Sequence, residues 1–430
     1  LVTALGPAVA NTGATWLAAA ITAADREAAT SGAELVEAEG FNLKLLVLED
    51  PAYRAYYDVV SNSVLWYIHH GLFDRPRRPR IDRIFREAWA VFRDVNERFA
   101  VATADEAPDG ATVVVHDYHL PLVGRHLAEK RPDLRTVHFH HTPFGGPDEL
   151  RVLPDDVTEE LLGGLAGFGA CGFHSIRWAQ AFEACCLAVL GARVPTFVSP
   201  AAAHHEEVRE VAASAACEAA LARLQGHIGD RKFIVRVDRM ELSKNLLRGF
   251  HAFDDLLATY PEWRERVVFG AFVYPSRVSL ADYQAYAAEV ETLVGQINDR
   301  WATPGWTPIH LDTDDNFPLS VAALRRYDAL LVNPVRDGLN LVAKEGPAVN
   351  ERDGLLVLSR ESGAWDELGD VALGINPFDV AGTADVLHEA LSMPAAPRAE
   401  RAAAQRAVAT ARSAREWLDD SIRNARSPRT

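Results

Sequence analysis

The sequence predicts an α/β protein of two domains, each built around a doubly wound parallel sheet. Three observations predict this. At 430 residues the chain exceeds the size, about 250–300 residues, at which one hydrophobic core stops growing. Short β-rich runs are each followed by an amphipathic stretch. Those runs are continuously apolar rather than alternating, the pattern of strands covered on both faces.

The elements follow in order. ATVVVHDYHL (111–120) reads as a buried strand entering a loop, then PLVGRHLAEKRP as a helix. RTVHFHHTPF (135–144) repeats the pattern and ends in a Pro-terminated loop. Later strands are FIVRVDRM (233–240), RVVFGAFVYP (266–275), TPIHL (307–311), DALLVNPV (328–335) and GLLVLS (354–359). Helical stretches such as LLRGFHAFDDLLATYPEW and LADYQAYAAEVETLVGQINDRW lie between them. The domain break is expected near Val194–Pro200. That gives a first domain over 1–195, a second over 196–397 opening on one long helical lead-in from His204, and a helical tail over 398–430 that packs back across the domains.

Composition narrows the function. With 48% hydrophobic and 24% charged residues the chain is an ordinary globular one. A net charge of −16 argues against nucleic acid or an anionic membrane surface as partner, since both require Lys and Arg to neutralise phosphates. The four cysteines form no C-x-x-C pair, and Cys185 and Cys186 lie in the apolar run AFEACCLAVL, so buried thiols and a reducing, cytoplasmic setting are expected. No run of about 18 apolar residues is present to span a membrane. The opening LVTALGPAVANTGATWLAAAITAA resembles a signal sequence but lacks a basic start and is broken by Gly, Asn and Thr. The absence of an initiator Met points to a segment upstream of Leu1. Oligomeric state is left open between a monomer and a homo-oligomer.

In a parallel sheet, ligands bind beyond the carboxyl ends of the strands. The candidate polar residues fall there: Asp117, His141, Arg239 with Lys244, Arg277, and Asp337 to Glu345. In VRDGLNLVAKEG (335–346), Asp337-Gly338 is a turn, after which Asn340 to Glu345 can open a helix whose amides face an anion. Glu345 is expected about two turns down that helix, within reach of a ribose. Equally, this pattern suits a plain strand–turn–helix with a capping Asp. In VDRMELSKN (237–245), Arg239 and Lys244 can clamp a diphosphate, Arg through its fork and Lys as a point charge. Against a reading as mere surface charge, the chain has five lysines to 39 arginines, and Lys244 and Lys344 stand inside the two candidate motifs. In HFHHTPFGGP (138–147), His138 and His140 alternate with apolar residues, so at least one is a core histidine, while His141 at the strand end suits a sugar hydroxyl. His116, His119 and His141 match no known zinc spacing, so no metal and no other cofactor is expected. The G-x-G-x-x-G, P-loop and G-x-S-x-G patterns are absent.

Taken together the motifs resemble the trehalose-6-phosphate synthase family of retaining glycosyltransferases. They run in order over most of the chain: YYDVVSNSVLW, VHDYHL, HHTPF followed by RVLP, VDRMELSKN, VYPSR, NPVRDGLNLVAKE, LSRESGAWDELG and NPFDV. SKN and NERD (350–353) resemble the actinobacterial branch, in which guanosine donors occur. The resemblance implies two facing Rossmann-like domains of GT-B type with the active site in the cleft between them, and no metal. It implies transfer of glucose from a nucleotide-glucose (GDP- or UDP-glucose) to glucose 6-phosphate, with those two ligands as the partners. Arg239 and Lys244 would clamp the donor diphosphate, and Asp337 and His141 would hold donor-sugar hydroxyls, the 6-hydroxyl falling to His141. The amides of Gly338, Leu339, Asn340, Leu341 and Val342 would line sugar and phosphate, with Glu345 on the ribose. Asp117 would bind the acceptor, and Tyr57, Trp66 and Arg277 its phosphate. The family's N-terminal strand, with its Arg and Gly-Gly loop, would precede Leu1. Asp58 stands where the family has Asn, and Gly145-Gly146 departs from the usual loop. Both departures touch the acceptor side. A sister branch of pseudo-glycosyltransferases couples a cyclitol nucleotide to an aminocyclitol phosphate through a C–N bond. The presence of Tyr57, Trp66, Arg277 and DGLNLVAKE favours the sugar-transferring branch.

Overall fold

Two units carry the strands: residues Leu1–Pro200 with Ala414–Thr430, and residues Ala201–Ser413. The computed structural model describes residues 5–6, 9–10, 12–30, 36–38 (as backbone) and 40–427. Residues 1–4, 7, 8 and 11 of the leader-like opening lie outside the described residues.

In the first unit, β1 (Thr15–Ala19), β2 (Val36–Ala38) and β3 (Phe41–Leu46) form one small sheet, β1 parallel and β2 antiparallel to β3. A second sheet holds β4 (Thr112–His116), β5 (Arg135–His140), β6 (Ala170–Phe173) and β7 (Thr196–Val198) in that order, all parallel. The helix Arg83–Glu106 starts where the Asp82 carboxylate accepts from Phe85 N, 3.2 Å. It buries Phe85, Ala88, Trp89, Phe92, Val95, Asn96, Phe99 and Ala100, one face at helical spacing. Asn96 on that face accepts from Leu122 N (3.0 Å) and donates to His119 O (3.3 Å), which fixes the loop after β4. Cys185 and Cys186 are buried on the helix Ile176–Leu190, as their apolar run predicts. Residues 54–65 form a π-helix, a wide turn that a 3.6-residue period does not foretell.

The second unit holds one parallel sheet with the order β10-β9-β8-β11-β12-β13. Its strands are β8 (Lys232–Met240), β9 (Val267–Pro275), β10 (Ile309–Asp312), β11 (Ala329–Val332), β12 (Leu355–Ser359) and β13 (Leu373–Ile375). Counted from β8 this is three-two-one-four-five-six, so the winding reverses between β8 and β11, the point at which such sheets bind ligands. Both β11 and β12 are buried along their whole length, which explains their continuous apolar sequence.

The lead-in from His204 is two helices, His205–Ala212 and Ala215–Ile228, because the Ser214 hydroxyl accepts from Cys217 N (3.2 Å) and caps a new start. The tail is also two helices. Ala395–Ala409 belongs to the second unit and Ala414–Asn424 to the first. The latter buries Trp417 (1% exposed), whose indole N–H donates to Ser199 O at 3.1 Å. Beyond it, Arg426 O accepts from Thr136 N (2.8 Å), tying the chain's end to the start of β5. No helix among the described residues is long and apolar enough to cross a membrane.

Candidate active site

At the reversal point of the second unit, Arg239 is still part of β8, not of the loop after it, and leaves 47% of its side chain exposed. Lys244 ends a short 3₁₀ turn, Leu242–Lys244, followed by Asn245 in the left-handed region at φ 60°. Asn245 tolerates that backbone and is held by its side-chain amide, which donates to Asn333 O (3.0 Å) and Pro377 O (2.8 Å). The Arg236 guanidinium, wholly buried, donates to Lys244 O (2.9 Å) and to Asp238 (2.8 Å), so the turn that presents Lys244 is anchored from inside the sheet.

Lys244 Nζ meets Asp337 Oδ2 at 2.5 Å. Burial opposes the Lys244 charge, but Asp337, Asp238 and Glu241 outweigh it and hold its pKa above the usual lysine value. Asp337 also accepts from Asn340 Nδ2, 3.2 Å. Asn340, at φ 80°, accepts in turn from Ala343 N (3.3 Å), so the helix begins at Val342 and runs to Val349. Glu345 is therefore in its first turn, not two turns down: the residues Gly338 to Leu341 are loop, with Asn340 left-handed. Lys344 N and Glu345 N both donate to Leu341 O (2.8 and 2.9 Å), and Gly338, Leu339 and Leu341 precede Val342 in the same loop. A second loop braces this one: Gly363 N donates to Asp337 O (3.0 Å), Ala364 N to Leu339 O (2.9 Å) and Ser362 Oγ to Leu339 O (2.6 Å). A side chain on Gly363 would stand 1.9 Å from Gly338 O. Burial, then the nearby Glu207, pushes the Glu345 carboxyl up to about 7. Lys344, the other lysine of the motifs, points away from the loop amides: it pairs with Glu367 (2.5 Å) and donates to Ala201 O (2.7 Å), anchoring the helix.

Arg277 lies just past β9 at φ 45°, and its Nη1 donates to Glu241 Oε1 (2.7 Å) and Tyr283 OH (2.8 Å). Neither partner stands out in sequence, because an acidic residue two positions from Arg239 reads as one more surface charge.

In the first unit, Asp117 takes φ 66° at the end of β4, and its Oδ1 accepts from His141 N (3.2 Å) and Thr142 N (3.3 Å). Strained polar positions of this kind cluster at functional sites. Burial outweighs those hydrogen bonds and raises the Asp117 pKa. Both nitrogens of His141 are engaged, Nε2 with His116 Nδ1 (3.0 Å) and Nδ1 with His174 Nε2 (3.1 Å). Burial, then His174 and His116, holds His141 well below the ordinary histidine pKa, and burial brings His116 to about 3. Trp417 packs beside all three rings of this row. A sugar hydroxyl can reach a nitrogen of His141 only in place of one of these two contacts. His138 and His140 are both buried core histidines. Among the described residues no group of three or more His, Cys, Asp or Glu has metal-holding geometry.

Tyr57, on the π-helix, stacks on His119 at 5.3 Å and 15° and on Tyr53 at 5.1 Å and 19°. Trp66 is 1% exposed and stacked on His70 (4.2 Å), a core position that leaves little surface for a ligand. The candidates are thus joined in sets: Lys244 with Asp337 and Asn340, Arg239 with Arg277 through Glu241, and Asp117 with His141.

A reversal point that presents a lysine, two arginines and the start of a helix is the architecture of a nucleotide-binding α/β enzyme. The chain belongs to glycosyltransferase family 20, whose profile matches residues 1–427. It is 32% identical over 398 residues to the bifunctional trehalose-6-phosphate synthase/phosphatase of Thermoproteus tenax, covering 89% of this chain and 53%, about half, of that relative. Among solved structures, a UDP-forming α,α-trehalose-phosphate synthase from Burkholderia xenovorans in complex with glucose-6-phosphate superposes with a TM-score of 0.86 at 27% identity, covering 98% of this chain and 94% of that one. A trehalose-6-phosphate structure from E. coli bound with UDP-2-fluoro glucose gives 0.88 at 28% identity, covering 100% and 96%.

Proposed function

We propose that this chain is a retaining glycosyltransferase that moves glucose from UDP-glucose to glucose 6-phosphate, giving α,α-trehalose 6-phosphate. The observation that carries the reading is the Lys244–Asp337 pair, set beside the start of the helix Val342–Val349 at the β8/β11 reversal. The relatives supply the substrates: UDP-2-fluoro glucose in one solved structure, glucose-6-phosphate in another. Those relatives are trehalose-phosphate synthases, so the cyclitol-coupling reading is not favoured.

In this reading Arg239, Lys244 and the amides from Gly338 to Val342 receive the leaving diphosphate, and Glu345 accepts from the ribose. Negative charge grows on the diphosphate as the anomeric bond breaks, and fixed donors aimed there are the main catalytic contribution. Asp337 is occupied by Lys244 and Asn340, which suits a hydroxyl ligand that orients the sugar better than an attacking nucleophile. The acceptor hydroxyl then attacks on the face the diphosphate leaves. Asp117 and Tyr57 serve the acceptor, and Arg277 its phosphate. The four buried, unpaired cysteines support a reducing compartment, and the cytoplasm is part of this reading.

Incubating the protein with glucose 6-phosphate and either UDP-glucose or GDP-glucose tests it. A phosphorylated disaccharide, formed faster with the uridine donor, is expected. No disaccharide with either donor would end the proposal.

A further inference from the structure

Glu241 joins two arginines that the proposed reaction assigns to different substrates. It follows β8 directly and is 2% exposed. Its Oε1 lies 3.0 Å from Arg239 Nη1 in an ion pair, and accepts from Arg277 Nη1 at 2.7 Å and from Ser276 Oγ at 3.1 Å. The two strands that deliver these groups are neighbours, paired through Arg239↔Tyr274 and Met240↔Pro275.

The electrostatics require a counter-ion here. Two guanidinium groups that reach the same oxygen atom repel each other, and Arg277 disfavours the charge on Arg239 while Glu241 favours it most. Arg277 has a second reason to need an anchor. Its φ of 45° is a conformation that a non-glycine side chain keeps only when its surroundings fix it. Glu241, the Tyr283 hydroxyl at 2.8 Å and the Tyr283 ring at 5.4 Å fix it. A buried carboxylate 3.0 Å from Arg239 Nη1 and 2.7 Å from Arg277 Nη1 restricts where each planar fork points.

We propose that Glu241 is a positioning residue shared by the donor-diphosphate and acceptor-phosphate sites, orienting Arg239 for the one and Arg277 for the other. The proposal rests on the synthase reading for the identity of the two ligands. It differs from an ordinary structural ion pair in one respect: a single side chain that touches neither substrate governs the affinity for both.

The test is steady-state kinetics on Glu241→Gln and Glu241→Asp with each substrate varied in turn, together with calorimetric titration of UDP and of glucose 6-phosphate into each protein. Glu241→Gln keeps the shape and removes the charge. It is expected to raise the KM for both substrates about tenfold, with a smaller fall in kcat, and to weaken both ligands in calorimetry. Glu241→Asp, which keeps the charge, is expected to recover at least half of the loss on a logarithmic scale for both. Arg239→Ala and Arg277→Ala serve as comparators, each weakening one substrate. The proposal is overturned if Glu241→Gln, folded by its melting curve, changes both KM values less than twofold or changes only one. It is also overturned if Glu241→Asp is no better than Glu241→Gln. Should Glu241→Gln not fold, the Asp variant still decides, since a rise in both KM values supports the shared role and a rise in one refutes it. Wild-type turnover is read separately: no disaccharide from wild type defeats the synthase reading, while the calorimetric comparison of variants still judges Glu241.

Discussion

Lys244 Nζ and Asp337 Oδ2 lie 2.5 Å apart although 93 residues separate them in the chain. Each lies in a loop beyond the carboxyl end of its own strand, β8 for the lysine and β11 for the aspartate, and those strands are neighbours only because the sheet reverses direction there. The pair is mostly shielded, with 11% and 15% of the two side chains exposed. Removing one partner of such a pair leaves an uncompensated charge, which typically costs about 3–5 kcal/mol.

Kinetics should separate the roles of two cations in the second unit. If Lys244 serves the leaving diphosphate as proposed, Lys244→Ala withdraws a donor there, a loss that typically lowers kcat by roughly 10²–10³. In its proposed place on the acceptor's phosphate Arg277 is remote from the bond being made, so Arg277→Ala should raise the acceptor KM with a smaller change in kcat. Varying each substrate in turn, with a thermal melt for each variant, checks this. Arg277→Ala weakening the donor alone would contradict the assignment, and two silent substitutions would mean that neither cation serves a substrate.

Gly363→Ala should damage donor binding more than stability. The added Cβ would stand 1.9 Å from the backbone oxygen of Gly338, so the loop Asp337–Leu341 must shift. A large rise in donor KM with acceptor KM unchanged is expected, read from the same assay. Unchanged kinetics would mean that the loop's position does not matter to the donor.

Glu345 gives a pH dependence with a definite sign. Its folded carboxyl titrates at about 7 against an unfolded value of 4.5, raised by burial and then by Glu207. The folded state therefore holds the proton more tightly, and this group's contribution worsens as pH rises from 4.5 towards 7, by on the order of 3 kcal/mol. Glu345→Gln should then melt higher than wild type at pH 8, with the difference vanishing near pH 5. In the proposed role the ionised form would accept from ribose hydroxyls, so kcat/KM for the donor should climb through an inflection near 7, and Glu207→Gln should move that inflection down. A flat donor profile between pH 5 and 8 would refute the role.

Trp417→Ala should destabilise the first unit. The indole is buried against Phe139 (4.9 Å) and His141 (5.6 Å), and its loss also strips Ser199 O of its donor. Emptying a site of this size typically costs about 3–5 kcal/mol, read as a lower urea midpoint. A midpoint within error of wild type would show that the last helix is dispensable to that core.

Much was legible before any coordinate. Continuous apolar runs such as those of β11 and β12 determine buried parallel strands, because a strand with helices on both faces has no side left for polar residues. The positions of Arg239, Lys244 and Asp337 follow from the same reasoning, since a parallel sheet delivers its loops to one edge. The chain alone determined which residues stand at that edge. It did not determine which of them touch. That Lys244 meets Asp337, that Glu241 binds Arg239 and Arg277 at one oxygen, and that His116, His141 and His174 form one row are facts of strand order and loop backbone, set by left-handed residues such as Asn340, Arg277 and Asp117. The same holds for Trp417: the sequence predicts a tail that packs back, but only the fold decides that this indole is buried against Phe139 and His141. Local patterning is written at spacings of two and 3.6 residues, within reach of one element's own sequence, whereas these contacts join segments tens to hundreds of residues apart, and only packing decides which distant surfaces exclude water together.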